Sequence, residues 1–402
     1  MSFPLSRRRL LGFAAGGGLA VTMPGCALPE RRPTVPIGSA AHATVLGVPN
    51  ERFFPATGIA PLEAEFDSAL ERLRRTQGLM EHAPMPELQL LSVSGGGENG
   101  AFGAGLLCGW TEHGDRPTFE LVTGVSTGAL MAPFAYLGTG YDGPLSTMYT
   151  TLTPKKVLVE RPFTAAFFDD ALADNHPLFE TISGYVDDKL MAAIAKAYDD
   201  GRLLLIGSTD LDAQLPVIWN VGAIAKSGHP RALDTIRRIL LASSAMPAAF
   251  PPTMFDVTLD GKSYQEMHVD GGAFAQTFLY PAAVMRRRQE RMLRREQVIP
   301  AQAFVIRNGR LDANWASVDR RTLSIAERAI STMIAASGYN DVVRIYNDTQ
   351  RDRIGFNLAY IGTDFTENLP QPFDPGYMRA LYAYGYQRGR RGYDWAHKPP
   401  LS

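Results

Sequence analysis

Cysteine is almost absent. Of 402 residues only Cys26 and Cys108 carry a thiol, which excludes a disulfide framework and any cysteine-based metal site. Net charge is nearly absent as well: 40 Lys and Arg stand against 41 Asp and Glu, so bulk electrostatics gives no pull toward nucleic acid. Long apolar runs are missing. The N-terminal run Leu10 to Met23 spans about 14 residues, short of the roughly 20 that cross a bilayer. Histidine is sparse, with seven in the chain, and none stands in a setting that marks a hydrolase triad. His176 and His229 each precede a proline, and His268 lies in a strand-like segment. No internal repeat is evident.

What remains is a globular composition, 45% hydrophobic and 20% charged, long enough for one large domain with an extension or for two domains. Residues 1–25 read as an export signal: Ser6-Arg7-Arg8-Arg9-Leu10-Leu11 resembles a twin-arginine signal, and the short apolar run follows it. Gly25-Cys26 then resembles a bacterial lipobox, in which the cysteine carries lipid. The expectation is an exported cell-envelope protein, held to a membrane by Cys26 and facing the periplasm. An uncleaved signal anchor, with Cys26 incidental, is the competing reading. Cys108, in "GLLCGW", then has no partner and reads as a buried small hydrophobe.

Residues 26–86, rich in Pro, Ala and Gly, read as a tether with one amphipathic helical stretch at Pro61 to Gly78. From Glu87 the pattern changes. Strand-like runs at Leu88–Ser94, Phe119–Thr123, Leu203–Ser208, Val217–Val221 and Ala303–Arg307 alternate with helical patterns at Ala101–His113, Thr127–Leu137, Ile182–Tyr198 and Leu233–Ser243. Such alternation predicts βαβ units around a mostly parallel, buried sheet over residues 87–310. Residues 311–402 form a C-terminal extension with a long helical pattern (Thr322–Asn347), a strand-like piece (Ile354–Ile361) and a Tyr/Arg-rich helix (Tyr377–Tyr393).

Three motifs carry chemistry. In "LLSVSGGGENGAFGAG", Gly95, Gly97 and Gly100 fit GxGxxG after a strand and before a helix, a layout in which bare amides cradle an anion. A dinucleotide-binding oxidoreductase needs a ribose-binding acid about 20 residues on, at the end of the next strand. That strand ends in Thr123-Gly124, and Glu120 lies at its start, so this is the weakest of the readings. Gly124-Val125-Ser126-Thr127-Gly128 satisfies GxSxG where an apolar strand meets an Ala-rich helix, the setting of a nucleophile elbow; the bland alternative is a glycine turn packing strand on helix. A serine needs a base to take its proton. In "HVDGGAF", Asp270 stands before Gly271 and Gly272 at the end of a strand-like segment, where its carboxylate can serve if desolvated; alone, Asp-Gly-Gly reads as a turn. His268 shares a strand face with Asp270 and is an alternative base or a structural neighbour.

These motifs in this order, with "ASSAMPAAFPP" at Ala242 to Pro252, resemble the patatin-like phospholipase family over about Leu88 to Ala283. The resemblance implies a three-layer α/β/α fold with a mostly parallel central sheet, a Ser-Asp dyad without a histidine base, and no cofactor or metal. Carried over by position, Ser126 is the nucleophile and Asp270 the general base. Gly95, Gly96, Gly97 and Gly100, with Thr127 after the serine, form the oxyanion hole. Many members carry Arg or Lys just before the last glycine of the loop, where this chain has Asn99. The function implied is a serine lipid acyl hydrolase of phospholipase A, lysophospholipase or esterase type, with a membrane phospholipid or other acyl-ester lipid as partner. The alternative is a noncatalytic lipid-binding envelope lipoprotein that keeps the fold. "RPFTAAFF" (Arg161 to Phe168) and "MPAAFPP" (Met246 to Pro252) are candidate walls of an acyl slot. The arginine run from Arg286 to Arg295 is either a head-group attractor or a solvated helix face.

Overall fold

The computed structural model describes residues 30–80, 83–160, 170–171 and 173–400. The export signal, Cys26 and Arg161 to Phe168 lie outside these residues. The described strands are β1 (Arg52–Phe53), β2 (Leu88–Val93), β3 (Leu121–Val125), β4 (Val159–Glu160), β5 (Ala173–Asp174), β6 (Leu203–Asp210), β7 (Leu215–Asn220), β8 (Thr253–Leu259), β9 (Lys262–Asp270), β10 (Ala301–Arg307) and β11 (Gly355–Tyr360). Nine of them form one sheet in the order β1-β7-β6-β3-β2-β10-β11, with β9 also paired to β6 and β8 to β9. Strands β11, β10, β2, β3 and β6 run parallel; β7 and β9 each pair antiparallel with β6, and β1 and β8 pair antiparallel with β7 and β9 in turn. β4 and β5 pair separately.

The parallel strands read as continuous apolar runs because both of their faces are covered; all eight residues of β6 are buried. Alternate residues divide between two cores. Leu91, Val93, Val122, Leu204, Ile206 and Ile306 join one with residues of α2 (Gly100–His113), α3 (Thr127–Leu137) and α5 (Ala232–Ser243). Leu90, Leu121, Leu203, Leu205, Ala303 and Val305 join the other with α1 (Ala60–Thr76) and α6 (Thr322–Arg351). Helices thus cover both faces, the three-layer α/β/α arrangement expected. The β8–β9 hairpin turns on Asp260 and Gly261, both at positive φ, the Asp-Gly pair that tight hairpins favour.

Three stretches differ from the sequence pattern. The helical run expected at Ile182–Tyr198 is two helices, His176–Tyr185 and α4 (Asp188–Asp199), because Asp187 caps the second by accepting from the Leu190 N–H. Residues 26–86, expected as a tether, are docked over much of their described length. β1 pairs with β7, and α1 buries Leu62, Ala69 and Leu73 at helical spacing; an amphipathic helix gains its stability from such packing. The C-terminal extension is built into the same compact unit, Arg32–Ser402: β11 lengthens the sheet beside β10, and α7 (Pro375–Arg390) lies on α2. Cys108, buried, sits in that layer with its thiol pushed up to about 11 by burial.

The α2–α7 contact is backbone on backbone. A Cβ on Gly105 or Gly109 would collide with the carbonyls of Tyr382 or Tyr386, and one on Gly385 or Gly389 with those of Phe102 or Leu106. Gly109→Val is expected to lower stability by about 1–3 kcal/mol, the usual cost of overpacking, in urea unfolding. Gly140→Ala, where a Cβ meets nothing within 4 Å, is the neutral control.

Candidate active site

The serine sits at a strained corner. β3 ends at Val125, α3 starts at Thr127, and Ser126 between them holds φ 56 and ψ −128, a conformation costly for a residue with a side chain. The corner is closed by contact: a Cβ on Gly124 would lie 2.6 Å from the Gly128 carbonyl oxygen. One on Gly128 would strike the Val93 carbonyl, so α3 starts hard against the end of β2. The Ser126 N–H donates to Ser243 Oγ at 3.0 Å, and that hydroxyl donates to the Gly207 carbonyl at 2.6 Å. Ser243 ends α5 and is fully buried. The Ala242–Pro252 segment therefore buttresses the corner at one end and packs Phe250 into the core at the other, while Met246 alone of its large side chains is exposed.

Asp270 reaches the serine through β6. That strand pairs Gly207 with Val125 of β3 and its next residue, Ser208, with Asp270 of β9. Consecutive rungs on one edge thus carry the residue before Ser126 and Asp270 itself. The Ser126 hydroxyl lies close enough to the Asp270 carboxyl to favour its charged form, and Asp270 Oδ1 accepts the Gly272 N–H at 2.7 Å. The Asp270 N–H is held by the Ala245 carbonyl. Gly271 fits against the Gly207 carbonyl, where a Cβ would lie at 2.6 Å. Burial pushes the Asp270 carboxyl up to about 6, against the lowering effect of the nearby Ser126 hydroxyl and the Gly272 N–H.

His268 is committed elsewhere. Its Nδ1 lies 3.0 Å from Ser208 Oγ and its Nε2 3.2 Å from Glu266 Oε2, so both ring nitrogens are engaged away from Ser126. Glu266 is in turn paired with Arg52, and Asp210 completes a buried group of three converging side chains. Asp210 already accepts the N–H groups of Asp212 and Ala213. Burial would raise the Glu266 carboxyl, yet the His268 hydrogen bond and the Arg52 charge hold it down at about 2. The group reads as an ion-pair network tying the N-terminal segment to β9.

The glycine loop divides. The Gly95 N–H donates to the Gln276 carbonyl at 2.9 Å, and the Gly100 N–H donates to the carbonyls of Gly97 and Glu98. These two expected oxyanion donors are therefore occupied; Gly95 instead packs on Ser126, and Gly100 lets α2 approach Thr127 and Tyr149. The N–H groups of Gly96, Gly97 and Thr127 have no acceptor among the described residues. Gly96 must be glycine, with φ 156 and the Asn308 backbone where a Cβ would stand.

Positive charge comes from behind the loop, at a residue the sequence did not single out. Arg307, the last residue of β10, is buried and donates from Nη1 to the Gly95 carbonyl and to Ser94 Oγ, each at 3.2 Å. Gly95 C=O and Gly96 N–H belong to one peptide group, so a cation on the oxygen strengthens the amide as a donor. Burial lowers Arg307 to about 10, which leaves it charged at neutral pH. Asn99 is oriented by Tyr377 of α7, whose hydroxyl donates to its Oδ1 at 2.7 Å. A signal for Arg307 existed in principle, since parallel sheets present residues at the C-terminal ends of their strands.

Residues 91–284 match the family model of the patatin-like phospholipases. No curated protein matches. The solved structure of VipD from Legionella pneumophila is similar over 77% of this chain and 68% of its own, at 12% identity and a TM-score of 0.33. The patatin-like segment spans just under half of the chain and includes Ser126, Asp270 and the glycine loop, while Arg307 and Tyr377 fall beyond it.

Glu120 and the arginine run both lie away from the Ser126 site. Glu120 accepts the Gln89 N–H at 2.6 Å at the start of β3, the end of the strands opposite the glycine loop, and so cannot serve a dinucleotide there. The arginine run forms the helix Arg286–Leu293, with Arg287 paired to Asp67 and Arg288 to the Asp352 and Ile299 carbonyls. It borders a groove of about 570 Å³ lined by Leu88, Leu90, Leu121 and Leu203, again at the opposite end of the strands.

A carboxyl raised by folding stabilises the fold below its unfolded value, near 3.9, and that contribution is lost as pH rises through the folded value. Thermal unfolding from pH 4 to pH 8 is therefore expected to show Asp270→Asn gaining stability relative to wild type, with the gain developing up to about 6. A variant that loses ground over that window would contradict the desolvated carboxylate.

Proposed function

We propose that this protein is a serine lipid acyl hydrolase of phospholipase A, lysophospholipase or esterase type, with Ser126 as nucleophile and Asp270 as general base. The juxtaposition of the Ser126 hydroxyl and a buried, raised carboxyl on consecutive rungs of β6 carries the reading, and the match to the patatin-like phospholipase family supports the lipid class. Ser126 Oγ attacks the ester carbonyl carbon while its proton passes to Asp270. A carboxyl poised near 6 accepts that proton far better than one near 4. Negative charge on the carbonyl oxygen is met by the N–H groups of Gly96 and Gly97, with Thr127 at the start of α3. Arg307, on the shared peptide, reinforces Gly96. Asp270 returns its proton to the leaving alcohol, and water then attacks the acyl-serine by the same route in reverse. In this reading the enzyme works in the cell envelope, exported by residues 1–25 and held by lipid on Cys26.

A fluorophosphonate probe is expected to label wild type and to leave Ser126→Ala unlabelled; equal labelling of both would remove Ser126 from the role. For fatty-acid release, kcat/KM should climb through about pH 6 and level off above it, since the base acts deprotonated. Asp270→Asn should lose about 10²–10⁴-fold. Arg307→Met is expected to lower kcat by about 10–10² with KM little changed, as when one oxyanion donor is weakened.

A further inference from the structure

α6 leaves the body halfway along its length. Its C-terminal part is packed at the site: a Cβ on Gly338 would lie 2.6 Å from Arg307 Nη2, and Asp341 accepts the Gln276 N–H at 2.7 Å, just after the Asp270-Gly271-Gly272 turn. N-terminal to Gly338 the support ends. Ile325, Ala326, Ala329, Ile330, Met333 and Ala336 recur at helical spacing, and all six are exposed. Met333 is 70% accessible and Trp315, in the segment leading into the helix, 93%. A stripe of this kind ordinarily faces a core. Contiguous apolar surface on a soluble chain marks a contact.

We infer that the exposed half of α6, with Trp315, is an interfacial helix that lies on a lipid surface and sets the Ser126 site at its edge. No helix among the described residues is long and apolar enough to cross a membrane, so this one lies on the surface rather than through it. Its flanks suit that place. Exposed Arg320 and Arg321 stand at the helix start, and Arg328 on the polar side binds the Asn314 carbonyl beside Trp315. Tryptophan and arginine bordering an apolar stripe are the composition of helices that settle at head-group level. The helix that carries the stripe is linked to the site through Gly338, Arg307 and Gly95, and Phe274, 56% exposed, adds an apolar side chain just after the Asp-Gly-Gly turn. The inference deepens the proposed reaction and takes the lipid character of the surface from it.

Trp315 is the one exposed tryptophan of four, so its emission reports the contact directly. The full chain carrying Cys26→Ser and Ser126→Ala, mixed with phosphatidylcholine–phosphatidylglycerol vesicles, should show blue-shifted emission quenched by brominated acyl chains. Trp315→Phe should erase the signal, and Ile330→Glu with Met333→Glu should weaken partitioning at least about tenfold. With Ser126 restored, that double variant should keep its rate on a soluble short-chain ester within about twofold while losing vesicle hydrolysis. Unshifted emission, or equal partitioning of the double variant, overturns the inference. So does a concentration-dependent dimer in light scattering that only the double variant abolishes, with no vesicle binding; that outcome gives the stripe to a second copy. Partitioning without turnover of any ester would leave the interface standing and sink the catalytic reading instead.

Discussion

One edge of β6 is shared end to end by two strands, and the site depends on that division. β3 occupies the edge up to Gly207 and β9 from Ser208 onward, so the chain that turns away at Ser126 is replaced by the chain that delivers Asp270. Register in a sheet is unforgiving, because a slip of one residue sends every side chain to the opposite face. β6 is buried throughout, which fixes its register and with it the approach of hydroxyl to carboxylate. The same burial removes water from Asp270 and raises it toward neutrality, so one packing fact sets both the geometry and the basicity.

The glycine loop is held with equal economy. Gln276, Asn308 and Arg307 come from two different elements and fix Gly95, Ser94 and Gly96 by hydrogen bond or contact. This leaves a few amides free at the serine, with a buried cation behind one of them. A guanidinium placed on the far side of the peptide adds field without occupying the space a substrate needs. The cost is a buried charge, which Ser94, Gly95 and the nearby Asp341 offset.

The terminal segments complete the site. α7 reaches Asn99 through Tyr377, α6 stands over Arg307 through Gly338, and both are anchored by contacts that demand glycine. From the other end of the chain Arg52 pairs with Glu266 on β9, bracing the strand that ends in Asp270. Loosening any of these would move the serine's surroundings while leaving its motif intact, which is why effects on activity and on stability can separate in this protein.

By itself the sequence determined whatever depends on contiguous residues: the strand, glycine loop and helix around Gly95 to Gly100, the corner at Ser126, and the Asp-Gly-Gly turn. Each is a local demand on backbone shape, written in glycines and apolar runs. It also carried most of the parallel strands, whose buried faces require unbroken apolar stretches. Only the tertiary structure decided which amides of the loop are free, because their competitors, Gln276 and the preceding turns, are set by packing. Only it gave Asp270 its raised carboxyl and withdrew His268, since burial and partners lie far along the chain. The apolar stripe of α6 lies within a long helical pattern in the sequence; periodicity tells that a face is apolar, and the surrounding fold alone tells whether anything covers it.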